Sequence, residues 1–228
     1  MKHTDFIFSV FVCLLILPFA FNKELYDAYI VFNAEHGMVM WFLKFAILST
    51  TGELLGLRIS TGCYYRKGFG VLPRALVWGL LGLGINMAFI VFSSGVPAFL
   101  EYLGVKNTAA VMAGTLTLEK VGIALMISVV LNSIFAPVFM TLHKITDTHI
   151  LATGGTMKGL FSPIPVGKIL QEMNWKVQWE FVLKKTIPLF WYPAHTITFL
   201  LPAEMRVLFA ALLGVVLGVI LAIAARKG

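Results

Sequence analysis

The chain reads as a series of apolar runs separated by short polar stretches. Residues 6–21 form an apolar run of 16 residues behind a head bearing Lys2. Runs at 37–57, 75–94 and 118–142 follow, then a shorter one at 186–201 and a last one at 205–225. A membrane-crossing helix needs about 20 mainly apolar residues, so the pattern predicts an all-α transmembrane bundle of six spans. Run 6–21 has the length of a signal peptide. Pro18 occupies the −3 position of a cut after Ala20, and no A-x-A pattern follows, so an uncleaved first span is expected.

The 143–185 segment is the one long connection in this pattern. Gly154-Gly155 and Pro163-x-Pro165 mark turns in it. Beyond them Val166, Ile169, Leu170, Met173, Val177 and Phe181 recur at helical spacing, with Lys168, Lys176, Trp175 and Trp179 between them. An apolar stripe with lysines and tryptophans predicts one amphipathic helix lying in the membrane interface; a surface helix docked on the loops is the other reading.

Composition agrees with the pattern. Of 228 residues 59% are hydrophobic and 13% charged, with a mean hydropathy of +0.88. Soluble domains carry about a quarter charged residues, so the apolar surplus here must face lipid, in a single integral membrane domain spanning 1–228. The net charge of +7 does not indicate nucleic acid, because the basic residues are spread over short loops. Thirteen of the 18 Lys and Arg fall in the head, 58–74, 143–185 and the tail, against four on the alternate side and Lys44 within a span. That excess places both termini on the cytoplasmic side. The N-terminus lacks the character of a transit peptide, which favours a prokaryotic plasma membrane over an organelle membrane.

Polar groups inside apolar runs are expensive unless partnered, and therefore informative. They are Lys44, Glu53, Asn86, Asn132 and His195, with Trp191 beside the last and Glu204 and Arg206 just beyond the fifth run. Glu53 is expected either to pair with Arg58 or Arg74 or to line a water-filled cavity. Asn86 and Asn132 read as helix-to-helix hydrogen bonds or as cavity lining. Pro193 removes a backbone donor and frees the Leu189 carbonyl, so Pro188 and Pro193 should break the fifth span near His195. Such a break is tolerated where it faces protein or water.

Small residues are spaced for helix contact. Ala210, Gly214, Gly218 and Ala222 recur every four residues, and Gly52-x-x-x-Gly56 is a shorter version. These faces serve packing within the bundle or between protomers of a homo-oligomer. His143, Asp147 and His149 read as a solvated loop without metal spacing, and Cys13 and Cys63 suggest neither a disulfide nor a metal. There is no HExxH, GxSxG, phosphate loop or GxGxxG, and no nucleophile–base pair. No enzyme, cofactor or metal site is expected.

The order Trp191, His195, Phe199, Pro202, Arg206, followed by Val207-Leu-Phe-Ala, resembles the C-terminal signature of the Mpv-17 / peroxisomal membrane protein 22 family. That signature reads roughly Trp-Pro, Gln, Asn-Phe, Val-Pro, Arg, then an apolar helix. Leu48-Ser-Thr-Thr-Gly52-Glu53 looks like the family's Gly-Asp motif with glutamate for aspartate. Phe135-Ala136-Pro137 is similar to its Phe-Ala-Pro, with Asn132 in a glutamine-like place and Leu131 replacing an acid. The resemblance covers most of 40–225 and leaves 1–25 as an extra span. It implies a small inner-membrane or peroxisomal-membrane protein, in a family some of whose members resemble weakly selective pores for small solutes. His195 stands where the family has Gln, and both it and Leu131 would be pore-lining, so selectivity does not carry over.

Two functions are expected on this reading. One is a passive channel for small hydrophilic solutes, with Glu53, Asn86, Asn132 and His195 lining or gating it. The other is a non-conducting membrane protein that binds lipid or a partner through its Gly/Ala face and interfacial helix.

Overall fold

The computed structural model describes residues 3–227, save the side chains of residues 15, 16, 20, 203, 204, 207 and 221–227. The regular structure of the described residues is all helical, with no strand among them. The chain forms two compact units, Met1–Trp41 and Phe42–Gly228. The first holds α1 (His3–Phe21), α2 (Lys23–Glu35) and the start of α3 (Gly37–Thr61). Asn22 breaks α1 from α2 and caps the latter, its side-chain oxygen accepting from the Leu25 N–H at 3.0 Å. No residue of α2 is buried, and Phe6, Ile7 and Val31 stand more than half exposed, as lipid-facing side chains do.

The second unit continues α3 and adds α4 (Val71–Tyr102), α5 (Thr108–Ala113), α6 (Leu118–Ala152), α7 (Met157–Leu160), α8 (Val166–Glu172) and α9 (Trp175–Val177). A π-helix (Gln178–Trp191), α10 (Tyr192–Leu200) and α11 (Ala203–Lys227) complete it. Among the described residues α3, α4 and α6 are the three helices long and apolar enough to cross a membrane. The fully described apolar part of α11 runs over Leu208–Ile220.

α6 is the axis of this unit. Thr117 starts it, accepting from the Lys120 N–H at 3.1 Å, with Glu119 in the first turn where the helix dipole favours an acid. Ile127, Ser128, Leu131, Asn132 and Ile150 are at most 1% exposed along its length. It stops at Gly154-Gly155, both in the left-handed region, where the Gly155 N–H reaches the Ile150 carbonyl at 2.8 Å. Gly155 also lies against the loop before α4: a Cβ there would be 2.6 Å from the Gly70 nitrogen.

Glycines let the long helices approach. A Cβ on Gly82 of α4 would sit 2.7 Å from Phe45 Cβ of α3, and Gly79 receives Phe42 in the same way. Further along α3, a Cβ on Gly52 would be 3.0 Å from the Val215 Cα of α11, while one on Gly218 would lie 3.7 Å from the Gly52 carbonyl. The small-residue faces of α3 and α11 thus approach each other within the chain, at Gly52, Gly214 and Gly218. Ala222 lies outside the residues whose side chains are described.

Two expectations are corrected. Residues 143–152 are not a loop: α6 runs to Ala152, because Ile145, His149 and Ile150 are buried against the unit and keep the helix amphipathic past the apolar run. The single amphipathic helix expected beyond Pro165 is interrupted at Met173, whose backbone is extended. There the Asn174 side chain instead caps a new helix, accepting from the Val177 N–H at 3.1 Å.

Candidate functional site

Three long helices are tied together by one ionic cluster. Glu53 of α3 accepts from Arg74 Nη1 at 2.5 Å, from Trp78 Nε1 at 2.9 Å and from His143 Nε2 at 3.2 Å. Because the carboxylate only accepts, the His143 contact places its proton on Nε2. Arg74 in turn pairs with Asp147, donates from Nε to the Phe69 carbonyl at 2.7 Å, and lies 4.2 Å over the Phe69 ring. Arg74 and Trp78 are one helical turn apart on α4, as are His143 and Asp147 on α6. The Arg74 side chain is 7% exposed and those of Glu53 and Asp147 are 18% and 20%, so one guanidinium holds two largely desolvated carboxylates. The ion pair expected of Glu53 therefore forms, with Arg74.

A second polar set sits where the π-helix gives way to α10. Ser128 Oγ of α6 donates to the Tyr192 carbonyl at 2.8 Å, and Ser133 Oγ and Tyr192 Oη are 2.7 Å apart. Asn132 donates from Nδ2 to the Ser128 carbonyl at 2.7 Å and accepts at Oδ1 from His195 Nδ1 at 3.0 Å. The His195 ring stands 4.9 Å from Trp191 and edge-on to Phe89 at 5.4 Å. The change of helix type around Pro188 and Pro193 is where the prolines were expected to break the segment.

Between these two sets lies a cavity of about 340 Å³. Its walls are largely apolar, with Phe45, Trp78, Phe89, Phe135, Phe139 and Trp191 around it. Glu53 and His143 reach it from the ionic cluster, Asn132 and His195 from the other set, and Gly52, Gly56, Ala210, Gly214 and Gly218 form a smooth side. Three wall residues carry buried polar atoms with no hydrogen-bond partner: Ser49 Oγ, Gln178 Nε2 and Trp191 Nε1. Such atoms each cost about 1–3 kcal/mol unless something in the cavity meets them.

Of the sequence candidates, Glu53, Asn132, Trp191 and His195 are brought together on this cavity. Asn86 is buried at 8% exposed but stands off the wall, which α4 supplies through Trp78, Ile85 and Phe89 instead. Arg206 also lies off it: its Nε and Nη2 donate to the Leu201 and Phe199 carbonyls at 3.0 and 3.2 Å, closing the C-terminal end of α10. The side chain of Glu204 is outside the described residues. Lys44 is buried at 7% exposed.

Sequence reasoning missed Ser49, Gln178, His143 and Asp147. The last two carried a usable signal, since Arg74/Trp78 and His143/Asp147 are polar pairs at helical spacing next to apolar runs. His149, read with them as solvated, is 2% exposed, and its Nε2 lies 2.9 Å from the Gly159 carbonyl. Ser49 is a single hydroxyl inside an apolar run, and nothing in the pattern marks it.

Comparison of the chain with family models, with curated proteins and with solved structures gives no match.

Proposed function

We propose that this is an integral membrane protein that takes a small amphipathic molecule into the cavity between α3, α4, α6, the π-helix, α10 and α11. The observation that carries the reading is the wall itself. It is predominantly aromatic and aliphatic, encloses about 340 Å³, and offers a few separate hydrogen-bonding atoms. Small-molecule sites have that character and a volume of roughly 300–1,000 Å³. A tritiated neutral probe, hexadecan-1-ol, tests it by scintillation proximity on the full chain in phosphatidylcholine nanodiscs. Saturable binding that is lost when Ala136→Leu fills the cavity is expected. Binding equal in the folded variant would overturn the reading.

A second reading, a weakly selective passive channel for small hydrophilic solutes, has its own support. Ser49 Oγ, Gln178 Nε2 and Trp191 Nε1 are places where water would satisfy buried polar atoms. The resemblance to the Mpv-17 / peroxisomal membrane protein 22 family belongs with this reading. So do a six-span arrangement, in which 6–21, 186–201 and 205–225 also cross, and termini on the cytoplasmic side of a prokaryotic plasma membrane. Discrete conductance steps in a planar bilayer, altered by His195→Ala or Glu53→Gln, are its expected result. A silent bilayer from folded protein would leave the binding function alone.

A further inference from the structure

Resting on the binding reading, we infer that the cavity takes a long single-chain carboxylic acid carrying a second oxygen near its far end. The shape comes first. The wall follows α6 from Leu131 to Lys144, about 20 Å at about 1.5 Å per residue. At about 340 Å³ the space lies at the small end of the range for small-molecule sites, which suits a single chain better than a two-chain phospholipid. A chain of about 16 carbons fills the length, since each bond of about 1.5 Å advances roughly 1.3 Å along a zigzag.

The head is set by one end of the wall. Glu53 brings a negative charge there, but Arg74 takes it up at 2.5 Å, with Trp78 and His143 donating to the same carboxylate. Lys144 lines that end, is exposed, and forms no ion pair among the described residues. Gln178 lines it too, is 6% exposed, and has its Nε2 without a partner. An ammonium and an amide donor suit a carboxylate, which only accepts. At the other end Trp191 Nε1 is a donor with no partner, beside a His195 whose Nδ1 is already engaged by Asn132. An indole N–H asks for an oxygen acceptor, and a hydroxyl or carbonyl on the chain supplies it.

The test uses the full chain in phosphatidylcholine nanodiscs, with unlabelled competitors against tritiated hexadecan-1-ol. Hexadecanoate is expected to compete at least about tenfold better than hexadecyltrimethylammonium, and 16-hydroxyhexadecanoate better still. Lys144→Gln, an exposed change that spares the fold, should weaken both acids about tenfold more than it weakens the alcohol. Trp191→Phe should erase the advantage of the terminal hydroxyl. If the ammonium competes as well as the acids, or Lys144→Gln changes nothing, the ligand class is wrong while the cavity still binds. If the alcohol itself shows no binding lost in Ala136→Leu, the binding reading fails and the ligand class with it.

Discussion

His195 Nδ1 lies 3.0 Å from Asn132 Oδ1, and this hydrogen bond, with those of Ser128 and Ser133 to Tyr192, joins α10 to α6 where the π-helix ends. Asn132 is 1% exposed, and its amide nitrogen is committed to the Ser128 carbonyl at 2.7 Å. The pair therefore has a fixed direction, with His195 donating and Asn132 accepting. Helix-to-helix contacts of this kind are worth about 0.6 kcal/mol on average in membranes and up to about 1.7.

Asn132→Leu should accordingly fold but melt earlier in detergent, because it strands the His195 N–H. His195→Phe should destabilise by a similar amount for the converse reason. The double variant is expected to cost less than the sum, by about 0.5–1.5 kcal/mol. Additive thermal shifts would show that the two residues act independently.

The ionic cluster predicts an asymmetry. Arg74 is the guanidinium that bridges Glu53 and Asp147. Arg74→Met leaves two desolvated carboxylates uncompensated and should cost about 3–5 kcal/mol, the range for breaking buried pairs. Glu53→Gln keeps the Arg74–Asp147 pair and a side chain able to accept from Trp78, so its cost should be clearly smaller. Chemical unfolding of both variants in mild detergent measures the difference. Equal losses would mean that Glu53, not Arg74, is the centre of the cluster.

How much of this was legible beforehand follows from what a residue type can say alone. An apolar run announces a helix in lipid whatever it packs against, so α3, α4 and α6 were visible as 37–57, 75–94 and 118–142. Their ends were not. Each continues as helix beyond its apolar run, to Thr61, Tyr102 and Ala152, because polar residues such as His143 and Asp147 are accepted once Glu53 and Arg74 stand opposite. Hydropathy records the solvation of one side chain, whereas a partner on another helix is a tertiary fact. Glu53 and Asn132 were found for the opposite reason: a charge or amide deep in an apolar run must have a partner, even when its identity is open. Gln178 gave no such signal, since it sits in a stretch already rich in polar residues, and its burial depends on the π-helix bringing it to the wall.

Glycine contacts predict which helix pairs tolerate a side chain. Gly52→Leu has to displace Val215, whose Cα would stand 3.0 Å from the new Cβ, so α3 and α11 must separate. Gly84 and Gly95 on α4 have nothing within 4 Å of a built Cβ. Leucine at either should be tolerated within about 0.5 kcal/mol, or be mildly stabilising through helix propensity. Gly52→Leu should lower the melting temperature by several degrees in the same detergent. A tolerated Gly52→Leu would mean that α11 does not seat on α3 in the folded protein.

Accessibility of the cavity separates adjacent residues. Ser49 and Thr50 are both 4% exposed, and each carries a buried hydroxyl without a partner, yet Ser49 lines the cavity and Thr50 does not. With Cys13 and Cys63 replaced by serine, Ser49→Cys should react with a small methanethiosulfonate reagent far faster than Thr50→Cys. Pre-incubation with hexadecanoate should slow the reaction at position 49 and leave position 50 unchanged. A channel for hydrophilic solutes predicts the fast reaction but no protection by a fatty acid, because water and not a chain fills the space. Equal rates at the two positions would mean that reagent reaches α3 by local opening of the bundle, and that the cavity is closed to both kinds of molecule.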